Sequence, residues 1–231
     1  MTEPADGLPR RGFAASLRTA RSAAVAGLIF SIVMVLVVLL FRSAFPPDLF
    51  MESTAPPTPD ALNRGRWALL LLPYAGIAFI WFMAALNYNL GHADHRLFTT
   101  VFLTSGSVFV ALVFVAGAVG SAELAALEAG QGLSGPERLI TGVTVNELLV
   151  NYTSRMAAVF CLSIATFGRL RKLLPLWLTL LGTLTALFLL LVPFGVRHIE
   201  LVFPLWVTIL SVYLLIKDPG GQLHRQTHPS A

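Results

Sequence analysis

The sequence predicts an all-α polytopic membrane protein, a helical bundle of six spans with both termini in the cytoplasm. Three observations lead there. Of the 231 residues, 56% are hydrophobic and only 12% charged; soluble domains carry about 25% charged residues. Apolar runs recur six times, each near the length needed to cross a hydrocarbon core about 30 Å thick. Lys and Arg are shared unequally between alternate connecting segments, as they are in membrane proteins of fixed orientation.

The elements follow in chain order. Residues 1–21 carry Arg10, Arg11, Arg18 and Arg21 with no apolar period and read as a short cytoplasmic tail. The first span is 23–41. A basic start before an apolar run also describes a signal peptide, but this run is too long and no small-x-small cleavage site follows, so it reads as an uncleaved anchor. Residues 42–65, with Pro46, Pro47, Pro56, Pro57 and Pro59, read as an extended loop. The second span is 67–88, with Pro73 inside it. Gly91 is the expected helix stop and Asp94 the expected cap of the next helix. The third span is 97–119. Thr100, Thr104, Ser107, Ala111 and Ala118 share one of its sides, a small-residue stripe suited to close helix packing.

The longest loop is expected at 120–143, with a short interfacial helix over 122–129 broken by glycines at 130–135. The fourth span is 146–167. A tight basic turn at 168–175 leads into the fifth, 175–192, with Pro175 in its first turn. After a hairpin at 193–200 the sixth span runs over 199–216, with Pro204 inside it, and 217–231 is a polar tail. The whole of 1–231 reads as one membrane domain. With the N-terminus inside, ten of the sixteen Lys and Arg residues fall on inner segments and five, Arg42, Arg64, Arg66, Arg138 and Arg197, on outer ones. That bias supports an even number of spans and cytoplasmic termini. The setting that fits is a cell membrane of bacterial inner-membrane type. The lipid bilayer is the first partner, and the basic residues read as anchoring, not as a nucleic-acid surface.

The functional lead lies where the fourth span opens. Glu147, Asn151, Ser154 and Arg155 fall on one side of a helix at 100° per residue, and that side continues as Ala158, Cys161 and Ala165, with Leu162 beside them. Leu149, Tyr152, Thr153, Met156, Phe160 and Ser163 take the other side, the expected lipid face. Arg155 is roughly 12 Å deeper than Glu147, near mid-membrane, where a guanidinium needs a partner or water. It leans back towards Asn151, because helical side chains tilt towards their own N-terminus. Tyr74 in span two and Glu200 at the start of span six are placed at the same side. Arg155, Asn151, Glu147, Tyr74 and Glu200 are therefore the candidate ligand-binding residues of an outward-opening cavity suited to an anionic or zwitterionic solute. The other reading makes Arg155 and Asn151 interhelical contacts that fix the bundle, in an accessory protein that joins a membrane-protein partner or a second copy of itself.

Other chemistries find little support. A single cysteine, Cys161, excludes an intramolecular disulfide and multi-cysteine metal sites. His92, His95, His224 and His228 lie on cytoplasmic segments at loose spacing and make no metal motif, and the absence of a mid-span histidine argues against bundle haem. No cofactor is expected. No nucleophile–base arrangement or phosphate-binding glycine loop appears, so enzymatic activity has no visible constellation. Trp67, Trp177 and Trp206 fall near span ends and read as interfacial anchors.

The Arg-rich start leading into Ala-Gly-Leu-Ile-Phe at 26–30 is one feature of the layout. The others are the basic turn into Leu-Pro-Leu-Trp-Leu-Thr-Leu-Leu-Gly at 174–182 and Phe-Pro-Leu-Trp at 203–206. This layout resembles uncharacterised multi-span bacterial integral membrane proteins. The resemblance implies a multi-pass bundle and carries no activity with it.

Overall fold

Inside a bilayer no water is available to bond the peptide groups, so an apolar chain satisfies them internally as helix. The computed structural model of the chain describes residues 9–44, 58–90, 96–130, 135–191 and 198–217, and these are almost entirely helical, with no strand among them. The helices are α1 (Pro9–Ala44), α2 (Pro59–Leu90), α3 (Arg96–Glu128), α4 (Gly135–Asn146), α5 (Thr153–Leu170), α6 (Leu176–Leu191) and α7 (Val202–Ile216). A π-helical turn, Glu147–Tyr152, joins α4 to α5, and a 3₁₀ turn, Ile199–Leu201, leads into α7.

Among the described residues, five stretches are long and apolar enough to cross a membrane: Arg21–Ala44, Pro59–Tyr88, Leu97–Glu128, Leu139–Leu170 and Ile199–Ile216. The sixth apolar helix, α6, has 16 residues. At 1.5 Å per residue it spans about 24 Å, short of a core about 30 Å thick.

Several helices outrun the predicted spans, each for a local reason. Helix α2 starts at Pro59, inside the expected loop. Thr58 caps it, its Oγ1 accepting from the Ala61 amide at 3.3 Å; proline suits the first helical position and Asp60 the positive end of the helix dipole. The short helix expected over 122–129 is the unbroken end of α3. Its Ala, Leu and Glu residues are strong helix formers, and the helix stops only at Gly130, left-handed at φ 67°. Helix α1 begins at Pro9, so part of the expected tail is helical. The basic turn closes as expected: the Leu173 and Leu174 amides donate to the Gly168 carbonyl at 2.9 and 3.2 Å. Gly91, Asp94, His92, His95, His224 and His228 lie outside the described residues.

The core is aromatic. Phe79 on α2 is completely buried. Its ring lies 4.7 Å from Phe30, 5.0 Å from Phe109, 5.1 Å from Phe160 and 5.6 Å from Phe203, which stand on α1, α3, α5 and α7. One residue thus joins five helices. Glycines let those helices approach: a Cβ on Gly27 would overlap the Ser211 hydroxyl of α7, and one on Gly106 the Met83 sulfur of α2. Trp206 corrects an expectation. It is 2% exposed and stacks on Phe203 inside the bundle, because its position on α7 faces α6 at Gly182 and not the interface. Trp67 and Trp177 are exposed, as anchors would be.

At the α3 terminus Arg66 Nη2 meets Glu128 Oε1 at 2.7 Å, with Arg66 largely exposed. Solvent screens such a pair, so Arg66→Ala should change stability by no more than about 0.5 kcal/mol, read as an unchanged melting midpoint in detergent.

Candidate functional site

The end of α1, the third and fourth turns of α2, the middle of α3, α4 with its π turn, the start of α5, and the 3₁₀ turn before α7 meet around one site. Between them lies a cavity of about 310 Å³. Its walls are apolar, with Met34, Val38, Leu72, Phe109 and Phe203 among them. Its polar groups come from Arg42, Asn146, Glu147, Thr153, Ser154 and Glu200.

Three local features build this polar end. The first is an ion pair. Arg42 Nε donates to Glu200 Oε1 at 2.6 Å, and Arg42 Nη2 contacts the same oxygen. The Glu200 side chain is 9% exposed, and its other oxygen, Oε2, is buried with no hydrogen-bond partner. A buried carboxylate oxygen without a donor is costly, so it calls for a partner.

The second feature is the turn that presents Glu200. His198, at φ 64° and ψ 25°, is one of two non-glycine residues in the left-handed region among the described residues. Histidine tolerates that region better than most residues. The kink carries the chain into the 3₁₀ turn, closed by the Leu201 amide on the His198 carbonyl at 3.1 Å, and brings Glu200 beneath the end of α1.

The third feature is the π turn. The Thr153 amide donates to the Leu148 carbonyl, five residues back, and the Thr153 hydroxyl donates to the same carbonyl at 2.6 Å. A π turn accommodates one residue more than an α turn and is frequent at functional sites. Here it lies beside the 3₁₀ turn and sets Glu147 on the cavity wall near Glu200. Thr153→Val removes the hydroxyl bond and should destabilise by about 1 kcal/mol, measured by thermal unfolding.

The sequence-predicted residues divide as follows. Glu147 and Glu200 line the cavity; Asn151, Arg155 and Tyr74 do not. Asn151 Nδ2 donates to Glu147 Oε2 at 2.8 Å, and Arg155 Nη1 donates to the Asn151 carbonyl at 2.9 Å. The polar stripe is therefore a ladder of bonds within one helix that ends on Glu147, with Arg155 leaning towards Asn151 as its tilt requires. Tyr74 is 61% exposed on the outside of α2 and has no place in the cavity. The expected lipid face of the fourth span is corrected in part: Phe160, Thr153 and Ser163 are buried, and Leu162 is exposed. The cause is the position of α5 between α3 and α6, which covers more than one side of the helix.

Arg42 is the site residue that sequence reasoning missed. A signal existed: Arg42 closes the first expected span and Glu200 opens the last, which the expected topology puts at the same membrane face. No family model, curated protein or solved structure matches this chain.

Proposed function

We propose that the chain is a six-span membrane protein, both termini cytoplasmic, whose cavity binds a small solute as a transporter or transport-associated subunit does. The cavity carries this proposal. About 310 Å³ with apolar walls and a few convergent polar groups sits at the lower end of the roughly 300–1,000 Å³ range of small-molecule sites. Ionisable groups within a membrane are costly and are a pointer to solute or ion paths. Five helices of sufficient length and the Lys and Arg bias support the topology, with α6 as the short sixth span. A reporter that folds only in the cytoplasm, fused after residue 231, should be active; five spans would silence it.

The function is tested by reconstitution. Purified protein in liposomes should move an amphiphilic solute, and Glu147→Gln should slow that movement at least about tenfold if the carboxylate holds the solute. Arg155→Ala should act more weakly, since Arg155 does not line the cavity. Absence of flux together with absence of ligand-induced thermal stabilisation would overturn the proposal.

One observation favours a second reading, an accessory subunit. Thr100, Thr104, Ser107, Ala111 and Ala118 on α3 are all exposed. Such a stripe packs well against another helix, from a second copy or a membrane-protein partner. A monodisperse monomer in mild detergent would count against it.

A further inference from the structure

We infer that the cavity takes a cationic amphiphile, a molecule with an ammonium-type head and an apolar body, and that Glu200 Oε2 receives the head. The inference rests on the cavity's being a ligand site and adds the chemical class of the ligand.

The head follows from the donors and acceptors present. Arg42 spends both Nε and Nη2 on Glu200 Oε1, which leaves Oε2 buried among the cavity's polar groups as an acceptor without a donor. An ionised carboxylate has acceptor capacity only, so the missing partner is a donor. Glu147 adds a second carboxylate to the same wall, with one of its oxygens held by Asn151. An anionic head would meet two carboxylates against a single guanidinium whose Nε and Nη2 are turned to Glu200. An ammonium head completes Glu200 with a charge-assisted bond, stronger than a neutral one. This reverses the solute charge that Arg155 suggests from sequence, because Arg155 is not part of the cavity wall.

The body follows from the walls. Beyond the polar end, Met34, Val38, Leu72, Phe109 and Phe203 offer no hydrogen-bonding side-chain group, apart from the weak methionine sulfur. They suit an alkyl or aryl chain.

Thermal unfolding in lipid nanodiscs, with octylammonium, 1-octanol and octanoate compared at equal concentration, tests the inference. Octylammonium should raise the midpoint by about 4 °C or more at saturation, octanol less, and octanoate least. Glu200→Gln should abolish the preference for the amine, whereas Glu147→Gln should retain part of it. Equal shifts for the amine and the alcohol, or a preference for octanoate, would overturn the ligand class and leave the cavity as a ligand site. No shift with any of the three would overturn both. The wild-type comparison is decisive even if Glu200→Gln fails to fold.

Discussion

Arg42→Ala should lower the stability of the protein by about 3–5 kcal/mol. Glu200 is nine-tenths buried and Arg42 supplies both donors to its Oε1. Removing Arg42 leaves a carboxylate in an apolar setting with neither oxygen paired. The loss belongs to the orphaned charge and not to any large net benefit of the ion pair, because desolvating two charges roughly offsets their attraction. Replacing both partners, Arg42→Leu with Glu200→Leu, should therefore restore most of the lost stability while destroying amine binding. Thermal unfolding of the single and double variants checks this. A double variant as unstable as Arg42→Ala would show that the pair stabilises the fold in its own right.

Phe79→Ala should be the most damaging single truncation in the core, costing about 3 kcal/mol. The ring touches phenylalanines on four other helices. In a bilayer the alternative environment is also apolar, so what is lost is packing and not transfer from water. The cost accordingly sits at the low end of the range for large core deletions. Phe79→Leu should lose less than about 1.5 kcal/mol. Ile80→Ala, next in sequence but exposed on the outer surface, should change stability by less than about 0.5 kcal/mol. Similar losses for Phe79→Ala and Ile80→Ala would show that the aromatic cluster does not hold the bundle.

The two predictions touch what was and was not legible in the sequence. The apolar runs announced helices because bilayer-length hydrophobicity permits little else, and five of the six expected spans correspond to helices of crossing length. Helix ends were less visible. Thr58-Pro59-Asp60 is a start signal that proline counting reads as loop, and the Ala-Leu-Glu stretch of α3 continues a helix that hydropathy alone would stop. The Phe79 cluster was not apparent, since a run of apolar residues does not say which side faces protein when lipid and core are equally apolar.

The site was half legible. Glu147 and Glu200 stood out as ionisable groups where the membrane begins, and both line the cavity. Arg155 drew attention for its depth, yet its bond to Asn151 runs along its own helix. The π turn explains the difference. Its extra residue is invisible to a periodicity of 3.6, so the face on which each side chain falls could not be carried through it. Arg42 needed a pairing across the bundle that links the first apolar helix to the last, which no local pattern encodes.

Accessibility of Ser154 tests the cavity most directly. Ser154 is buried and lines it, whereas Cys161 is buried and does not. Ser154→Cys in a Cys161→Ala background should be alkylated by N-ethylmaleimide, and saturating octylammonium should slow that reaction at least about tenfold. Cys161 in the otherwise unchanged protein should stay unreacted under the same conditions. A Ser154→Cys thiol as inert as Cys161 would contradict an open cavity at the Arg42–Glu200 end of the bundle, and one alkylated at the same rate with and without the amine would contradict amine binding there.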